Sequence, residues 1–151
     1  MLFRWLLAAL HLLALGIGLA AVWARARSLR GPLDDEGLRR VVYADSFWGI
    51  AAVLWIATGA VRAFTGLEKG PSYYLNSNAF LIKMALLALV LLLEVWPMVT
   101  LIRWRIARGR GAQPDTTPAR TFGLVSYVQA LIVVAMVFAA TAMARGLGYG
   151  G

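Results

Sequence analysis

This sequence reads as an all-α polytopic membrane protein, an antiparallel bundle of four transmembrane helices, and three observations lead there. Of its 151 residues 61% are hydrophobic and only 15% charged, with a mean hydropathy of +0.73, far from the profile of a soluble domain. Four segments, 5–24, 45–65, 79–102 and 121–144, are apolar over close to the roughly 20 residues that a bilayer-crossing helix needs. The basic residues lie between these segments and form no domain of their own. A single transmembrane domain covering residues 1–151 is therefore expected.

The first span carries His11 on one face with Ala8, Leu15, Gly18 and Val22, and small residues on such a face let helices approach closely. Ala24-Arg25-Ala26 resembles a small-x-small cleavage site. A secretory signal carries its basic residues before the apolar run, whereas here most follow it, so a retained span is expected. In the next loop, Gly31-Pro32 marks a turn, and Asp34, Asp35 and Glu36 suit the first turn of a short helix leading to the second span.

Asp45, Trp48, Ala52, Trp55, Gly59, Arg62 and Gly66 then recur at three-four spacing along the second span, a heptad seam mixing charge, small residues and tryptophan. Residues 66–78 form a loop with paired tyrosines, Tyr73 and Tyr74, which suit a membrane interface. The third span repeats the seam with Lys83, Leu87, Val90, Glu94, Pro97 and Leu101, Pro97 being expected to kink it. A linker rich in Gly and Pro, 109–118, precedes the fourth span, whose seam is Ser126, Gln129, Val133, Met136, Ala140 and Met143. Four such stripes buried together make a left-handed bundle with its polar atoms inside.

Charge sets the orientation. Arg25, Arg27, Arg30, Arg39 and Arg40 populate the first loop and Arg103, Arg105, Arg108, Arg110 and Arg120 the third, against Lys69 alone in the second. The positive-inside rule makes the first and third loops cytoplasmic. Both termini and the second loop then face the periplasm of a bacterial inner membrane, opposed only by Arg4 and Arg145. The net charge of +8 thus reports topology, and no nucleic-acid partner is expected.

Ionisable side chains inside spans cost roughly 2.5–3.5 kcal/mol each on insertion scales and tend to face a protein interior. His11, about 9 Å below the outer end of its span at the helical rise per residue, shares the outer half with Arg62 and Lys83. In one reading this trio is a cofactor or anion pocket: His11 ligates a metal centre, Arg62 and Lys83 bind carboxylates such as haem propionates, and Met136, at similar depth, is a second axial ligand. In the other, Arg62 and Lys83 snorkel to the interface and His11 bonds a carbonyl. The inner half holds Asp45, Glu94 and Tyr127, which suit a proton path, an ion-pair network, or, for Asp45, a helix cap.

Enzyme signatures are missing: there is no nucleophile elbow, phosphate loop, H-E-x-x-H pair or dinucleotide fingerprint. The absence of cysteine removes disulfides and thiolate metal sites. A single histidine excludes a two-histidine haem pair.

Taken together, His11, Asp45 with Trp48-Gly49, Ala57-Thr58-Gly59-x-x-Arg62, Lys69-Gly70-x-x-Tyr73-Tyr74-Leu75, Phe80-x-x-Lys83, Glu94-x-x-Pro97 and Arg103-Trp104-Arg105 resemble a family of predicted four-helix bacterial membrane proteins of unknown function. More distantly, the arrangement is similar to HemJ-type protoporphyrinogen oxidases and CopD-like membrane proteins. That resemblance implies His11 as a haem ligand and Lys83 as its functional partner. The last span departs from it, having no arginine before Arg145.

Three functions follow as expectations. The first is a non-catalytic accessory subunit of a larger respiratory or photosynthetic membrane complex, in contact with lipid, pigment and other membrane subunits. The second is a HemJ-like oxidoreductase binding haem or another tetrapyrrole. The third is a small transporter or sensor with an outward-facing anion pocket.

Overall fold

Every long apolar segment is helical, and each helix outruns the stretch that hydropathy picks out. The structure, a computed structural model, describes residues 1–65 and 71–146. The expected loop residues 66–70, with Lys69 and the Gly66 end of the second seam, lie outside the described residues, as do 147–151 and the side chains of Pro71 and Tyr73. Helix α1 is Leu2–Arg30, α2 Asp35–Phe64, α3 a single turn Pro71–Leu75, α4 Asn78–Gly109 and α5 Ala119–Ala144. The four long ones are each apolar enough to cross a membrane, which is the expected multi-pass, all-α architecture.

The extra length lies at the arginine-rich end. No separate short helix precedes the second span: α2 is continuous from Asp35, and Asp34 is its N-cap, the carboxylate accepting the Gly37 N–H at 2.8 Å. Asp45, expected as a possible cap, stands ten residues inside that helix and caps nothing. Ser77 caps α4 by accepting the Phe80 N–H at 3.4 Å. Pro97 sits within α4 without ending it. In the loop before α5, the Thr117 hydroxyl and backbone N–H both donate to Asp115, holding that carboxyl below its ordinary range.

The turn into α2 tolerates no side chain at Gly37, because a Cβ there would lie 2.0 Å from the Pro32 carbonyl oxygen. A methyl group must push the loop off the helix start. Gly37→Ala is expected to cost about 1–3 kcal/mol, as overpacking does. Gly49→Ala, with nothing within 4 Å of its added Cβ, should be neutral or stabilising because alanine is the better helix former. Thermal unfolding of the two variants in detergent checks the contrast.

Around the bundle, α2 packs along α1, α1 along α5, and α5 along α4. Close approach between α1 and α2 is secured at Gly18, whose added Cβ would lie 3.4 Å from that of Ala51. Among the described residues the fourth side, α2 against α4, is much less closely packed than the other three; short α3 touches both helices there. The core is stacked in layers. Leu29, Leu38, Val41, Leu101, Trp104, Ala119 and Phe122 fill the arginine-rich end. Ala21, Val22, Trp48, Val90, Ala130 and Val133 fill the middle. Ala14, Trp55 and Met136 come next, and Ala63, Tyr74 and Phe80 close the opposite end.

Candidate functional site

Two polar constellations occupy these layers, one at each end. At the arginine-rich end the centre is Arg25, which does not lie in a loop as its charge suggested but inside α1, with no exposed surface. All five of its N–H donors are used. Nε donates to Ser126 Oγ at 3.0 Å, Nη1 to Asp45 at 2.8 Å and to Glu94 at 2.7 Å, and Nη2 to Glu94 at 2.8 Å and to Gln129 at 2.8 Å. The planar guanidinium fork suits this: Glu94 is bound bidentately while two further helices supply the remaining acceptors.

The partners are tied to one another. Gln129 donates its amide to Glu94 at 2.7 Å and to the Val90 carbonyl at 3.2 Å, and Ser126 donates back to the Phe122 carbonyl at 2.8 Å. Arg105 donates to the second oxygen of Asp45 at 2.5 Å. Two arginines thus balance two carboxylates, and one residue of α1 joins the other three long helices. Full use of the Arg25 fork is what makes that buried charge tolerable, whereas Arg105 leaves its buried Nε without a hydrogen-bond acceptor.

Asp45 and Glu94, paired in the sequence reading, do meet here, through Arg25. Tyr127 is not among the hydrogen-bonded members. Its ring packs edge-on to Trp23 at 4.8 Å and beneath Arg30 at 5.9 Å.

The second constellation lies at the opposite end, where a cavity of about 550 Å³ opens. His11, Arg62, Lys83 and Met136 all line it. Trp55 is a platform for two of them: the His11 ring stacks on it at 5.7 Å between centroids, and Lys83 Nζ stands 6.0 Å from its ring centre. Most of the remaining wall is aliphatic or aromatic, including Ile56, Ala60, Phe80, Met84 and Leu87. A few polar groups in an apolar wall, at a volume within the range of small-molecule sites, is the usual composition of a ligand pocket.

His11 is held in one orientation. Its Nδ1 lies 2.9 Å from Thr58 Oγ1, and that hydroxyl is already within donating distance of two carbonyls, Leu54 at 2.7 Å and Trp55 at 3.1 Å. With the single hydroxyl hydrogen on either of those carbonyls, Thr58 accepts and Nδ1 is the donor. In the neutral ring Nε2 is then the acceptor nitrogen, the tautomer that a second-shell bond fixes in many metal-ligating histidines. Gly59 makes room for the ring, since an added Cβ would lie 3.1 Å from His11 Cε1. Thr58 was not anticipated, although the Ala57-Thr58-Gly59 motif contains it. Among the described residues no group of three or more His, Cys, Asp or Glu is placed to hold a metal ion.

The family model described as "Predicted membrane protein (DUF2214)" matches residues 3–148, a stretch that takes in both constellations. The chain belongs to that family. No curated protein and no solved structure matches it. Within this DUF2214 chain the two constellations are separate, divided by the middle layer of Val22, Trp48, Val90 and Val133.

Proposed function

We propose that this membrane protein is a binding protein whose cavity holds a large, mostly apolar molecule carrying an anionic group, with haem or a related tetrapyrrole as the class its residues fit best. The observation that supports this reading is the gathering of His11, Arg62, Lys83 and Met136 in the wall of one apolar cavity. His11 would hold such a group through Nε2, Arg62 and Lys83 would bind its carboxylates, and Met136 would offer a soft sulfur. Haem, when bound, supplies a redox-active iron. The chain's own contribution is an imidazole, two cations and a mostly apolar wall. The gathering of arginines at the far end supports an orientation with the cavity and both termini on the periplasmic side of a bacterial inner membrane.

The test is the absorption spectrum of the gently purified protein, with and without added haemin. A Soret band is expected in the wild type and lost in His11→Ala. Thr58→Val, which removes the acceptor that orients the ring, should weaken the band without abolishing it, as loss of an outer-shell partner does. A wild type that stays colourless after haemin is added would sink the tetrapyrrole assignment.

A second reading, the accessory subunit, is supported by α4. Only 17% of its most apolar window is buried in the bundle, the least of the four spans, leaving a broad face for lipid or for another membrane subunit. Stoichiometric co-purification of a membrane partner, lost on placing an arginine at exposed Leu92, would support it.

A further inference from the structure

We infer that the cavity is loaded sideways from the bilayer through the seam between α2 and α4, so that its ligand is a membrane-dissolved amphiphile and not a solute drawn from water. This rests on the cavity being a ligand site. Among the described residues the seam is the side of the bundle on which neighbouring long helices pack least closely backbone to backbone. Residues from both flanks line the cavity there: Ile56 and Ala60 from α2, Lys83, Met84 and Leu87 from α4. Ile56 and Ala60 are exposed, and the three from α4 are half-buried, as the lips of an opening would be. Among the described residues the seam is crossed by long side chains instead, at separated levels.

Towards the arginine-rich end it is clasped by Arg105, which reaches from α4 to Asp45 at 2.5 Å and to the Val42 carbonyl at 3.4 Å on α2. At the opposite end α3 touches both helices, with Tyr74 packed on Phe80 at 5.3 Å. Below the cavity, the middle apolar layer and then the Arg25 cluster seal the bundle. Among the described residues the stretch between clasp and α3 is spanned only by the flexible Lys83 side chain, its Nζ 6.0 Å from the Trp55 ring centre, so we take it as the way in, facing hydrocarbon.

The ligand chemistry follows from the walls. An apolar body passes between Ile56, Ala60, Met84 and Leu87, while an anionic head, carboxylate or phosphate, stays near Arg62 and Lys83. Such a molecule partitions into the bilayer before it meets the protein, which concentrates it at the seam.

The chain has no cysteine, so one introduced thiol reports access without any ligand. Met136→Cys places it on the α5 wall of the cavity at a position with 1% exposure. In proteoliposomes, N-phenylmaleimide dissolved in the bilayer is expected to label this thiol. Adding Ala60→Trp or Ile56→Trp at the seam should slow labelling by an order of magnitude. Leu13→Trp, on an exposed face of α1 that does not line the cavity, should leave the rate unchanged. A sulfonated, membrane-impermeant maleimide should not label it. If the impermeant reagent labels as fast as the lipid-dissolved one, or if neither seam tryptophan slows labelling, the lateral route is wrong. Ala140→Cys, half-buried on the same wall, repeats the measurement should the first thiol perturb folding. Because no ligand is added, a lateral route that fails here is distinguishable from a cavity that fails to bind haemin.

Discussion

Arg25→Leu will destabilise the protein by about 3–5 kcal/mol, the cost of breaking a buried ion pair by removing one partner. The reason lies in what is left behind. Glu94 loses a bidentate partner, Asp45 loses one of its two arginines, and Ser126 and Gln129 lose a donor each. Two carboxylates then face Arg105, which is bonded to Asp45 and not to Glu94 among the described contacts. Arg25→Lys should recover little, since a point charge with three donors cannot reproduce a five-donor planar fork. The double variant Arg25→Leu/Glu94→Leu should be markedly more stable than Arg25→Leu alone, because the orphaned charge goes with its partner. Unfolding midpoints in a detergent titration of the four proteins check this. An Arg25→Leu protein as stable as the wild type would show that the network contributes nothing beyond packing.

How much of this was legible in the sequence differs between the two ends. The cavity group was legible because helix geometry links sequence position to depth and face. His11, Arg62, Lys83 and Met136 each lie on the small-residue or heptad stripe of their own span and in the same outer half, so a bundle brings them together. The arginine hub was not legible, although its carboxylates were. Arg25 sits just past the apolar run, where a cytoplasmic-loop arginine is the ordinary reading, and apolar length was taken as the end of the helix. A signal was present: His11, Gly18 and Arg25 are spaced by sevens, so the buried stripe of α1 continues through the charge. Hydropathy reports lipid contact, whereas periodicity reports burial, and at the end of a span the two part company. Polar positions on the α5 stripe, Ser126 and Gln129, were likewise read as seam without being read as acceptors. Tyr127 shows the converse, a residue one position off that stripe whose ring packs outside the network.

Phe122→Ala will carry the second large cost, about 3–5 kcal/mol, typical of deleting a fully buried aromatic ring. Phe122 has no exposed surface, lies edge-on to Trp96 at 4.9 Å and tilted to Trp104 at 6.5 Å, and belongs to a layer drawn from all four long helices. Phe122 shares its core cluster with Leu29, Leu38, Val41 and Leu101, which lie on three separate helices and so cannot all collapse into the void without moving helix axes. Phe122→Leu should cost less than half as much, since most of the volume remains. The effect will also depend on Arg25. The Phe122 carbonyl accepts from Ser126, which in turn accepts from Arg25 Nε, so a shift of α5 at Phe122 displaces one of the arginine's acceptors. Changes that share a network are not additive, and Arg25→Leu/Phe122→Ala should therefore cost less than the sum of the two single changes by at least about 0.5 kcal/mol. Strict additivity in a double-mutant cycle of unfolding free energies would show that the aromatic layer and the arginine cluster are independent. The haemin spectrum, by contrast, should be unchanged in any Phe122→Ala protein that remains folded, because the middle apolar layer separates that end of the bundle from the cavity.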